Sequence, residues 1–319
     1  MKHSRGNKPQ ILFITNKLDF TSDYLIDQLS NYKVNYLRIN SEDLNDISVN
    51  VDIKGIPNVG MGGRTFELDE LKSILFRRAP SIFPRAMIPE DEAFLNRERR
   101  HFFEGLYLTF NCLWINPIFA TYIAERKIYQ LKVAKLLGFN IPNTIISNDA
   151  NTIIAFSEQN APCIIKPISS GMQEKGQAIY SMYTSNFDIS NIPKNELFEA
   201  PILIQEKIKN HNDIRITVIG DHIFSASISK SENEVDWRRP EINKNYAVHH
   251  LPTELEQKIF KLNDYLNLNY SAIDFILDPN GNYVFLEINP AGEWAWLEKD
   301  LGFPISQKII KMLTSGHKT

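Results

Sequence analysis

Residues 274–298 read DFILDPNGNYVFLEINPAGEWAWLE, and this stretch carries the clearest structural pattern in the chain. Apolar residues alternate on both sides of Asn280-Gly281, a dipeptide that strongly favours a two-residue β-turn. The pattern therefore predicts two antiparallel strands joined at this turn. In that register Asp274 lies directly across from Glu287.

The two faces of the predicted hairpin differ in chemistry. Side chains alternate along a strand, so Asp274, Glu287 and Asn289 share one face. The other face carries the apolar side chains of Ile273, Phe275, Leu277, Val284, Leu286 and Ile288. Carboxylate and amide oxygens suit Mg²⁺, which proteins usually hold with one or two carboxylates together with substrate phosphates. The hairpin thus predicts a metal and nucleotide site, and the alternative is a half-exposed hairpin with solvated carboxylates.

Composition narrows the class of protein. The chain has 319 residues, 35 Lys plus Arg, 38 Asp plus Glu and a formal net charge of −3. This length accommodates two or three lobes, and the balanced charge predicts neither a nucleic-acid nor a membrane partner. The two cysteines, Cys112 and Cys163, lie far apart in apolar runs, as expected of reduced core thiols. With neither a secretion signal nor a membrane-length apolar run, the sequence predicts a cytoplasmic protein.

The order of predicted elements indicates an α/β fold with α+β lobes. A strand at 10–15, a helix at 23–29 and a strand at 34–39 form a βαβ opening. The first strand is followed by Thr15-Asn16-Lys17-Leu18 and not by a glycine-rich turn, so no dinucleotide site is expected there. A helix from Thr121 to Leu137 is predicted to open the next lobe.

These elements divide the chain into three predicted lobes. They are an N-terminal α/β domain at 1–118, a central lobe at 119–200 and a C-terminal lobe at 201–319 that carries the metal hairpin.

Lys166 closes the apolar run Cys163-Ile164-Ile165 and precedes a small-residue loop at 169–176. A lysine at a strand end supplies a positive charge for phosphate. Ser169 and Gly171 in the loop allow backbone N–H groups to approach phosphate oxygens. The alternative is an ordinary hairpin connection with a surface lysine.

A second polar group follows the apolar strand that begins at Ile202. Gln205 and Glu206, followed by Lys207 and Ile208, are placed to read an adenine amino edge beside exposed strand backbone. Asp213 is a candidate acceptor for a ribose hydroxyl, and Arg215 on the next strand is a candidate donor to a transferring phosphoryl group. Each residue is otherwise explained as part of a solvated strand end.

Taken together, these residues resemble the ATP-grasp superfamily over roughly residues 115–315. The set that carries the resemblance is Lys127, Lys166-Pro167, Gln205-Glu206-Lys207-Ile208, Asp213-Ile214-Arg215, Asp274 and Glu287-Ile288-Asn289-Pro290. The resemblance implies an ATP-grasp fold preceded by an N-terminal α/β domain, and an ATP-dependent carboxylate ligase. It further implies that Lys127 and Lys166 contact ATP phosphates, that residues 205–208 form the adenine hinge, and that Asp274, Glu287 and Asn289 bind Mg²⁺.

A finer resemblance rests on Phe76-Arg77-Arg78-Ala79-Pro80, Asp236-Trp237-Arg238-Arg239 and the segment from Asn289 to Glu298. These look like the graspetide ligases, the microviridin-type enzymes that cyclise ribosomal precursor peptides. The resemblance implies a precursor peptide as partner, with its leader contacting the central lobe. Arg77, Arg78, Trp237, Arg238 and Arg239 are the candidate substrate residues. Lys230 departs from the arginine that relatives often place in its region, and a homodimer is expected.

The chemistry implied by this site is activation of a carboxylate. A carboxylate is a poor electrophile, so attack on the γ-phosphate of ATP first makes an acyl phosphate, with Arg215 and Lys166 as the catalytic cations. A hydroxyl or amine then attacks the activated carbonyl.

Two alternatives stay open at this stage. One is a ligase that adds a free amino acid or amine to a peptide or small acid, as glutathione synthetases and ribosomal-protein glutamate ligases do. The other is a nucleotide-binding protein that has lost catalysis and kept a peptide groove.

Overall fold

The computed structural model of the protein describes residues 8–77, 88–169, 171–175, 178–209, 212–231 and 234–318. Arg78, Ser170 and Gly176, which belong to the sequence predictions, lie outside these ranges. None of the helices in the described ranges has the length and apolar character that a membrane-spanning helix requires.

The first part of the described chain is built on a parallel sheet. Its elements are β1 (Ile11–Thr15), α1 (Phe20–Leu29), β2 (Tyr36–Asn40), β3 (Ser48–Asn50), β4 (Asn58–Met61), β5 (Arg64–Glu67), β6 (Ser73–Phe76), α2 (Glu92–Leu108) and β7 (Leu113–Ile115). The parallel sheet has the order β2-β1-β6-β7, and β3, β4 and β5 form a small antiparallel sheet. The side chain of Asp19 caps α1 by accepting from the Ser22 N–H, as expected of an N-cap aspartate. The predicted βαβ opening is confirmed.

The second part of the described chain forms an antiparallel sheet. Its elements are α3 (Ile118–Ala124), α4 (Lys127–Leu136), β8 (Thr144–Asp149), α5 (Ala150–Gln159), β9 (Cys163–Lys166), β10 (Met172–Lys175), β11 (Ala178–Ser181), β12 (Ser185–Asn186) and β13 (Leu197–Glu206). The sheet has the order β12-β9-β13-β8, and β10 pairs with β11 separately. Because β13 begins at Leu197, the predicted lobe boundary at residue 200 falls inside a strand of this sheet.

The single helix predicted from Thr121 to Leu137 is wrong, because two helices occupy this segment. The backbone of Arg126 is extended between α3 and α4. The Gln130 amide donates to the carbonyl oxygens of Ala124 and Ile288. These tertiary hydrogen bonds satisfy the end of α3 and hold α4 against the strand that contains Ile288, a contact that local helical periodicity does not contain.

The third part of the described chain forms an antiparallel sheet covered by helices on both faces. Its elements are β14 (Asn212–Ile219), β15 (His222–Lys230), β16 (Lys244–Val248), α6 (Thr253–Tyr265), β17 (Tyr270–Leu277), β18 (Tyr283–Asn289), α7 (Ala295–Leu301) and α8 (Ile305–Ser315). The strand order is β16-β15-β14-β17-β18. Apolar residues of α4 and α6 pack on one face, and those of α7 and α8 pack on the other.

The hairpin of β17 and β18 pairs Asp274 with Glu287 as predicted, but through a different loop. The Gly281 N–H donates to the Asp278 carbonyl and the Asp278 N–H donates to the Asn282 carbonyl, each at 3.0 Å. The loop is therefore one residue longer than predicted, because Asp278-Pro279 starts a type I turn and Gly281 takes the left-handed conformation at φ 83°.

A bulge at Leu286 compensates for the longer loop. The register shifts between Asp274 and Phe275, so Phe285 pairs with Phe275 and enters the core. The prediction that Leu286 shares the core face is wrong, since Leu286 lines a cavity together with Glu287. Two successive residues thus face the cavity, as an extra residue in one strand of a pair allows.

Helix α8 connects the third part of the chain to the first. Ile309 and Leu313 of α8 join one apolar cluster with Ile11 and Phe13 of β1. The Ser73 hydroxyl of β6 also donates to the Leu313 carbonyl at 2.6 Å. The core beneath the parallel sheet is therefore completed by residues that lie far away in sequence.

Candidate active site

A cavity of about 420 Å³ lies between the β12-β9-β13-β8 sheet and the five-stranded sheet. Many of the predicted site residues line it. On the predicted nucleotide side these are Lys166, Gln205, Glu206, Lys207, Ile208 and Asp213, and on the predicted metal and substrate side they are Trp237, Arg238, Asp274 and Glu287. The structure therefore brings together residues from both sheets that the sequence pattern treats as separate motifs.

The wall formed by β9 and β13 presents a buried amide. Gln205 pairs with Ile164, and Leu203 pairs with Lys166, so Gln205 shares the face of two cavity residues. The side chain of Gln205 is 2% exposed. Its Nε2 donates to Thr144 Oγ1 at 2.9 Å, whereas its Oε1 has no hydrogen-bond partner. A buried acceptor without a partner is costly.

Lys166 stands at the end of β9 among other charged groups. Burial lowers its pKa to about 8, against the opposing effect of the Glu287 carboxylate. The positive charges of Lys127 and Arg238 lower it further. Several cations therefore crowd one region, which is the arrangement expected where polyphosphate binds.

Arg215 and Asp274 form a buried pair across β14 and β17. Arg215 Nη1 donates to both carboxylate oxygens of Asp274 at 3.0 Å, and Nη2 donates to the Glu293 carbonyl at 3.1 Å. Arg215 is 6% exposed. Burial alone would lower its pKa, but the Asp274 carboxylate raises this pKa above the ordinary value. The guanidinium is thus charged and fixed in place.

Glu287 lies between two cations. Its carboxylate contacts Lys127 Nζ at 3.2 Å and Arg238 Nη1 at 3.3 Å. Burial raises the pKa of Glu287, but the charges of Lys127, Arg238 and Lys166 outweigh burial and lower this pKa to about 2. The carboxylate is therefore ionised, as a metal ligand must be.

The predicted metal residues offer oxygen atoms only. Asp274 and Glu287 are paired across two strands, and Asn289 follows on β18, where its Oδ1 accepts from the Ala291 N–H at 2.9 Å. This donor set fits Mg²⁺ chemically. Within the described ranges no three or more His, Cys, Asp or Glu residues gather as a metal-holding group. A metal held here would thus need ligands beyond the two carboxylates, which is the usual case for Mg²⁺ with substrate phosphates.

Residues 234–242, which we call the strap, connect β15 to β16. They reach the β12-β9-β13-β8 sheet, which we call the central sheet. The Asp236 carboxylate accepts from the Thr184 N–H at 3.1 Å and from Arg238 Nη2 at 2.7 Å. Arg239 Nη2 contacts the Ser185 hydroxyl at 3.1 Å. The strap therefore spans the cavity from one sheet to the other.

Aromatic packing supports the strap from the C-terminal side. The Trp237 ring lies 5.5 Å from the ring of Trp296, which in turn lies 4.5 Å from the ring of Tyr246. By contrast, Trp294 is fully buried in the core. Trp294 and Trp296 both belong to the stretch 274–298, and it is the ring of Trp296 that contacts the strap.

Arg77, predicted as a substrate residue, is 2% exposed and is not one of the residues that line the cavity. Its Nε is 3.4 Å from the Asp19 carboxylate, and its Nη2 is 3.1 Å from the Glu293 carboxylate. Its Nη1 donates to the Gly292 carbonyl at 3.3 Å. Arg77 and Arg215 thus hold adjacent backbone carbonyls of the same loop, and the substrate role of Arg77 stays a prediction.

The remaining predicted residues surround the cavity. Asp213 forms a buried ion pair with Lys230. Ser169 is exposed. Gly171 has a φ of 74°, and a Cβ there would lie 2.7 Å from the Met182 carbonyl. Glycine is therefore required at this position of the predicted phosphate loop.

Sequence reasoning missed three contributors. The first is Asp236, which belongs to the motif Asp236-Trp237-Arg238-Arg239. An aspartate two residues before an arginine could have indicated the local ion pair that Asp236 forms with Arg238. Thr144 and Glu293 act through partners distant in sequence, Gln205 and Arg77 respectively. Such partners leave no local pattern.

A nucleotide-sized cavity between two antiparallel sheets, with a strand-end lysine on one side and paired carboxylates on the other, defines an ATP-grasp ligase. The RimK-like ATP-grasp domain matches residues 124–313. The chain therefore belongs to the RimK-like ATP-grasp family. The predicted fold and the predicted ligase class are confirmed.

Solved structures and a curated relative extend this result. The chain is similar to the macrocyclase MdnC of Microcystis aeruginosa, which was crystallised with the precursor peptide MdnA, with 28% identity, a TM-score of 0.85 and coverage of 96% of this chain and 100% of that one. A ribosomal-peptide-associated ATP-grasp ligase of Chryseobacterium gregarium shares the fold, with a TM-score of 0.84, 22% identity and coverage of 98% and 100%. The tetrahydromethanopterin:α-L-glutamate ligase of Methanococcus maripaludis is 24% identical over 202 residues, covering 61% of this chain and 67% of the relative.

Proposed function

We propose that the chain is an ATP-dependent macrocyclase for a ribosomal precursor peptide. It would activate Asp or Glu side chains of the peptide as acyl phosphates and join them to Ser or Thr hydroxyls as ω-esters, or to Lys amines as ω-amides. The observation that carries the proposal is the similarity to MdnC over 96% of the chain, including the N-terminal part that precedes the ATP-grasp match. The cationic cavity wall supports it, because the substrate of such a reaction presents a carboxylate.

The residues on the nucleotide side fit ATP. ATP-grasp ligases use ATP and Mg²⁺, and Gln205, proposed as an adenine contact, lines the cavity together with residues 206–208. In this proposal residues 206–208 form the remaining adenine contacts, Asp213 contacts the ribose, and Lys127, Lys166 and the loop of Ser169 and Gly171 contact the phosphates. Asp274, Glu287 and Asn289 would hold Mg²⁺, which when bound supplies charge neutralisation at the phosphates.

In this proposal the reaction has two steps, formation of the acyl phosphate and ring closure. A carboxylate oxygen of the peptide attacks the γ-phosphorus, the bond to the β,γ-bridging oxygen breaks, and ADP leaves. A hydroxyl or amine of the same peptide then attacks the acyl carbon, loses its proton, and expels inorganic phosphate. Each ring therefore removes one water from the peptide mass.

Arg215 and Lys166 are the proposed catalytic cations. Arg215 is fixed by Asp274 and by the Glu293 carbonyl, so its positive charge is held in place before negative charge develops. Arg238 and Arg239 on the strap, with Trp237, would hold the peptide carboxylate, for which the guanidinium fork is well shaped. Arg77 and Arg78 were predicted for the same role. For Arg77 its burial points instead to support of the neighbouring loop.

The test is incubation of the purified chain with Mg-ATP and a peptide that carries a leader and a core rich in Asp, Glu, Ser, Thr and Lys. The small open reading frame beside the gene is the first choice of peptide. Mass spectrometry should show successive losses of one water. With glutamate supplied, a mass gain of one glutamate residue, that is glutamate less one water, would instead support the amino-acid ligase activity that the Methanococcus maripaludis relative suggests.

The matched variant for this test is Glu287→Gln. It removes a metal-binding charge while keeping the side-chain shape, so we expect water loss to fall by at least about 100-fold in a protein that is still folded at the assay temperature by circular dichroism. Because Lys127 and Arg238 lose their shared carboxylate, its melting temperature should fall. Undiminished product formation in this variant would contradict the metal assignment. We further propose that the protein is cytoplasmic and forms a homodimer. Light scattering on the purified chain would test the dimer.

A further inference from the structure

Gln130 of α4 binds the backbone of β18 through both ends of its side-chain amide. Its Nε2 donates to the Ile288 carbonyl at 2.9 Å, and its Oε1 accepts from the Ile288 N–H at 3.3 Å. The Nε2 also donates to the Ala124 carbonyl, and Gln130 is 3% exposed. The amide therefore makes with Ile288 the pair of hydrogen bonds that a residue of a neighbouring strand would make.

The contact falls where the register of β18 is weakest. β18 is the last strand in the order β16-β15-β14-β17-β18, so the edge away from β17 is held from outside the sheet. Near the turn, the Phe285 N–H donates to the Asn140 carbonyl at 2.8 Å. The bulge at Leu286 follows and disrupts the ladder, and beyond it a slip of one residue would exchange the two faces of the strand. Gln130 grips the strand just beyond this bulge.

Ile288 separates the two proposed metal ligands of β18, Glu287 and Asn289. The Ile288 side chain packs in the core, so a fixed Ile288 backbone directs both neighbouring side chains to the opposite face. α4 begins at Lys127, one turn before Gln130, and Lys127 Nζ contacts the Glu287 carboxylate at 3.2 Å. The Gln130 amide thus aligns the start of α4 with the strand that carries these ligands.

We infer that Gln130 is a positioning residue for the metal site, which orients Glu287 and Asn289 by holding the Ile288 backbone from the side opposite β17. The inference rests on the proposed function in that these two residues hold Mg²⁺ beside ATP. An amide is needed at this position, because Ile288 offers one N–H and one carbonyl. A carboxylate has no hydrogen to donate, and an aliphatic side chain offers neither group.

The test is calorimetric titration of ATP into the full chain without peptide, once with Mg²⁺ and once with EDTA. The ratio of the two dissociation constants measures what the metal adds to binding. In the wild type Mg²⁺ should tighten ATP binding at least about tenfold. Gln130→Met keeps an unbranched side chain but removes the amide, so the ratio should fall by at least about fivefold.

Two further variants separate positioning from a general loss of stability. Gln130→Glu keeps the shape, but at pH 8 its carboxylate cannot donate to the Ile288 carbonyl, so the ratio should fall here too. Phe66→Leu, in the buried core beside the parallel sheet, should lower the melting temperature and leave the ratio unchanged. A wild-type ratio in Gln130→Met, or in Gln130→Glu if only that variant folds, would overturn the inference, and so would an equal fall in Phe66→Leu.

The wild-type arm distinguishes this inference from the proposed function. ATP binding that is indifferent to Mg²⁺ in the wild type would overturn the proposed metal site and the inference together. A protein that shows the Gln130-dependent ratio but cyclises no peptide would support the inference and overturn only the proposed macrocyclase.

Discussion

Lys166 illustrates at the scale of one residue how folding changes side-chain chemistry. A lysine at the end of an apolar strand is recognisable in the sequence, but its pKa is not. Burial in the cavity wall lowers the pKa to about 8, and the neighbouring positive charges of Lys127 and Arg238 act in the same direction. In the free enzyme Lys166 is therefore only partly protonated at a pH near 8.

This shift predicts a pH dependence of nucleotide binding. Below the pKa Lys166 carries the charge that phosphate needs, whereas above it the lysine must take up a proton on binding. The Kd for ATP should therefore rise several-fold between about pH 7 and about pH 9. Calorimetry in buffers of different ionisation enthalpy would detect the proton uptake at the higher pH.

Lys166→Arg is the matched control, because arginine stays protonated over this range. Its Kd for ATP should change little between the two pH values. A wild-type Kd that is flat over the same range would show that Lys166 is not the group that titrates.

At the scale of the element, the strap owes its position to one carboxylate. Asp236 is 4% exposed and accepts hydrogen bonds from the central sheet and from Arg238. Burial would raise its pKa, but the hydrogen bonds and charge of Arg238 lower it below the ordinary value. Asp236 therefore positions Arg238 without belonging to the predicted substrate set.

Removal of this carboxylate should release the strap. In Asp236→Ala the Thr184 N–H and the Arg238 guanidinium lose their shared acceptor, so amide hydrogen exchange in residues 234–242 should speed up by at least about tenfold. Glu241→Ala is the control, since Glu241 is an exposed residue of the same strap. Similar exchange in both variants would mean that Asp236 does not hold this segment.

The elements also show which part of the fold was predictable. Apolar alternation predicted the pairing of Asp274 with Glu287, which holds in the structure because the bulge at Leu286 compensates for the longer loop. It was insufficient for Leu286, because Asp278-Pro279 lengthens the loop and a bulge offsets the change. The break before Lys127 escaped prediction for a related reason: Gln130 binds Ile288, and propensity along one segment cannot report such a partner.

The site was predictable to the extent that its residues follow strand ends. Lys166 and residues 205–208 do so, whereas Asp274 and Glu287 lie inside β17 and β18; the structure gathers all of them around one cavity. Arg77 was harder, because an arginine pair in sequence gives no sign of burial against Asp19 and Glu293. Thr144 gave no signal at all, since its partner Gln205 lies on a strand distant in sequence.

At the scale of the whole molecule, Arg77 joins the parallel sheet to the loop that follows β18. It contacts Asp19 from the first part of the chain and Gly292 and Glu293 from the third. Arg215 holds the next carbonyl of the same loop and the Asp274 carboxylate. A continuous set of contacts thus connects the N-terminal sheet with the predicted metal face.

Arg77→Met should therefore destabilise the molecule as a unit. The variant leaves a buried Asp19 carboxylate without its cation, so the free energy of unfolding in urea should fall by about 3 kcal/mol. Lys8→Met provides the comparison, because Lys8 pairs with Glu67 and Asp69 at the surface, and should cost less than about 1 kcal/mol. Equal losses in the two variants would contradict the structural role of Arg77.

The packing of α8 against β1 and β6 has a consequence for biosynthesis. A ribosome delivers the parallel sheet early, yet Ile309 and Leu313, which cover its apolar face, emerge only near the end of the described chain. Contacts this distant in sequence form slowly, and the uncovered strands are exposed in the meantime. The nascent chain must therefore carry an incomplete core beneath the parallel sheet until α8 has emerged, and chaperones that shield apolar strands should raise its yield.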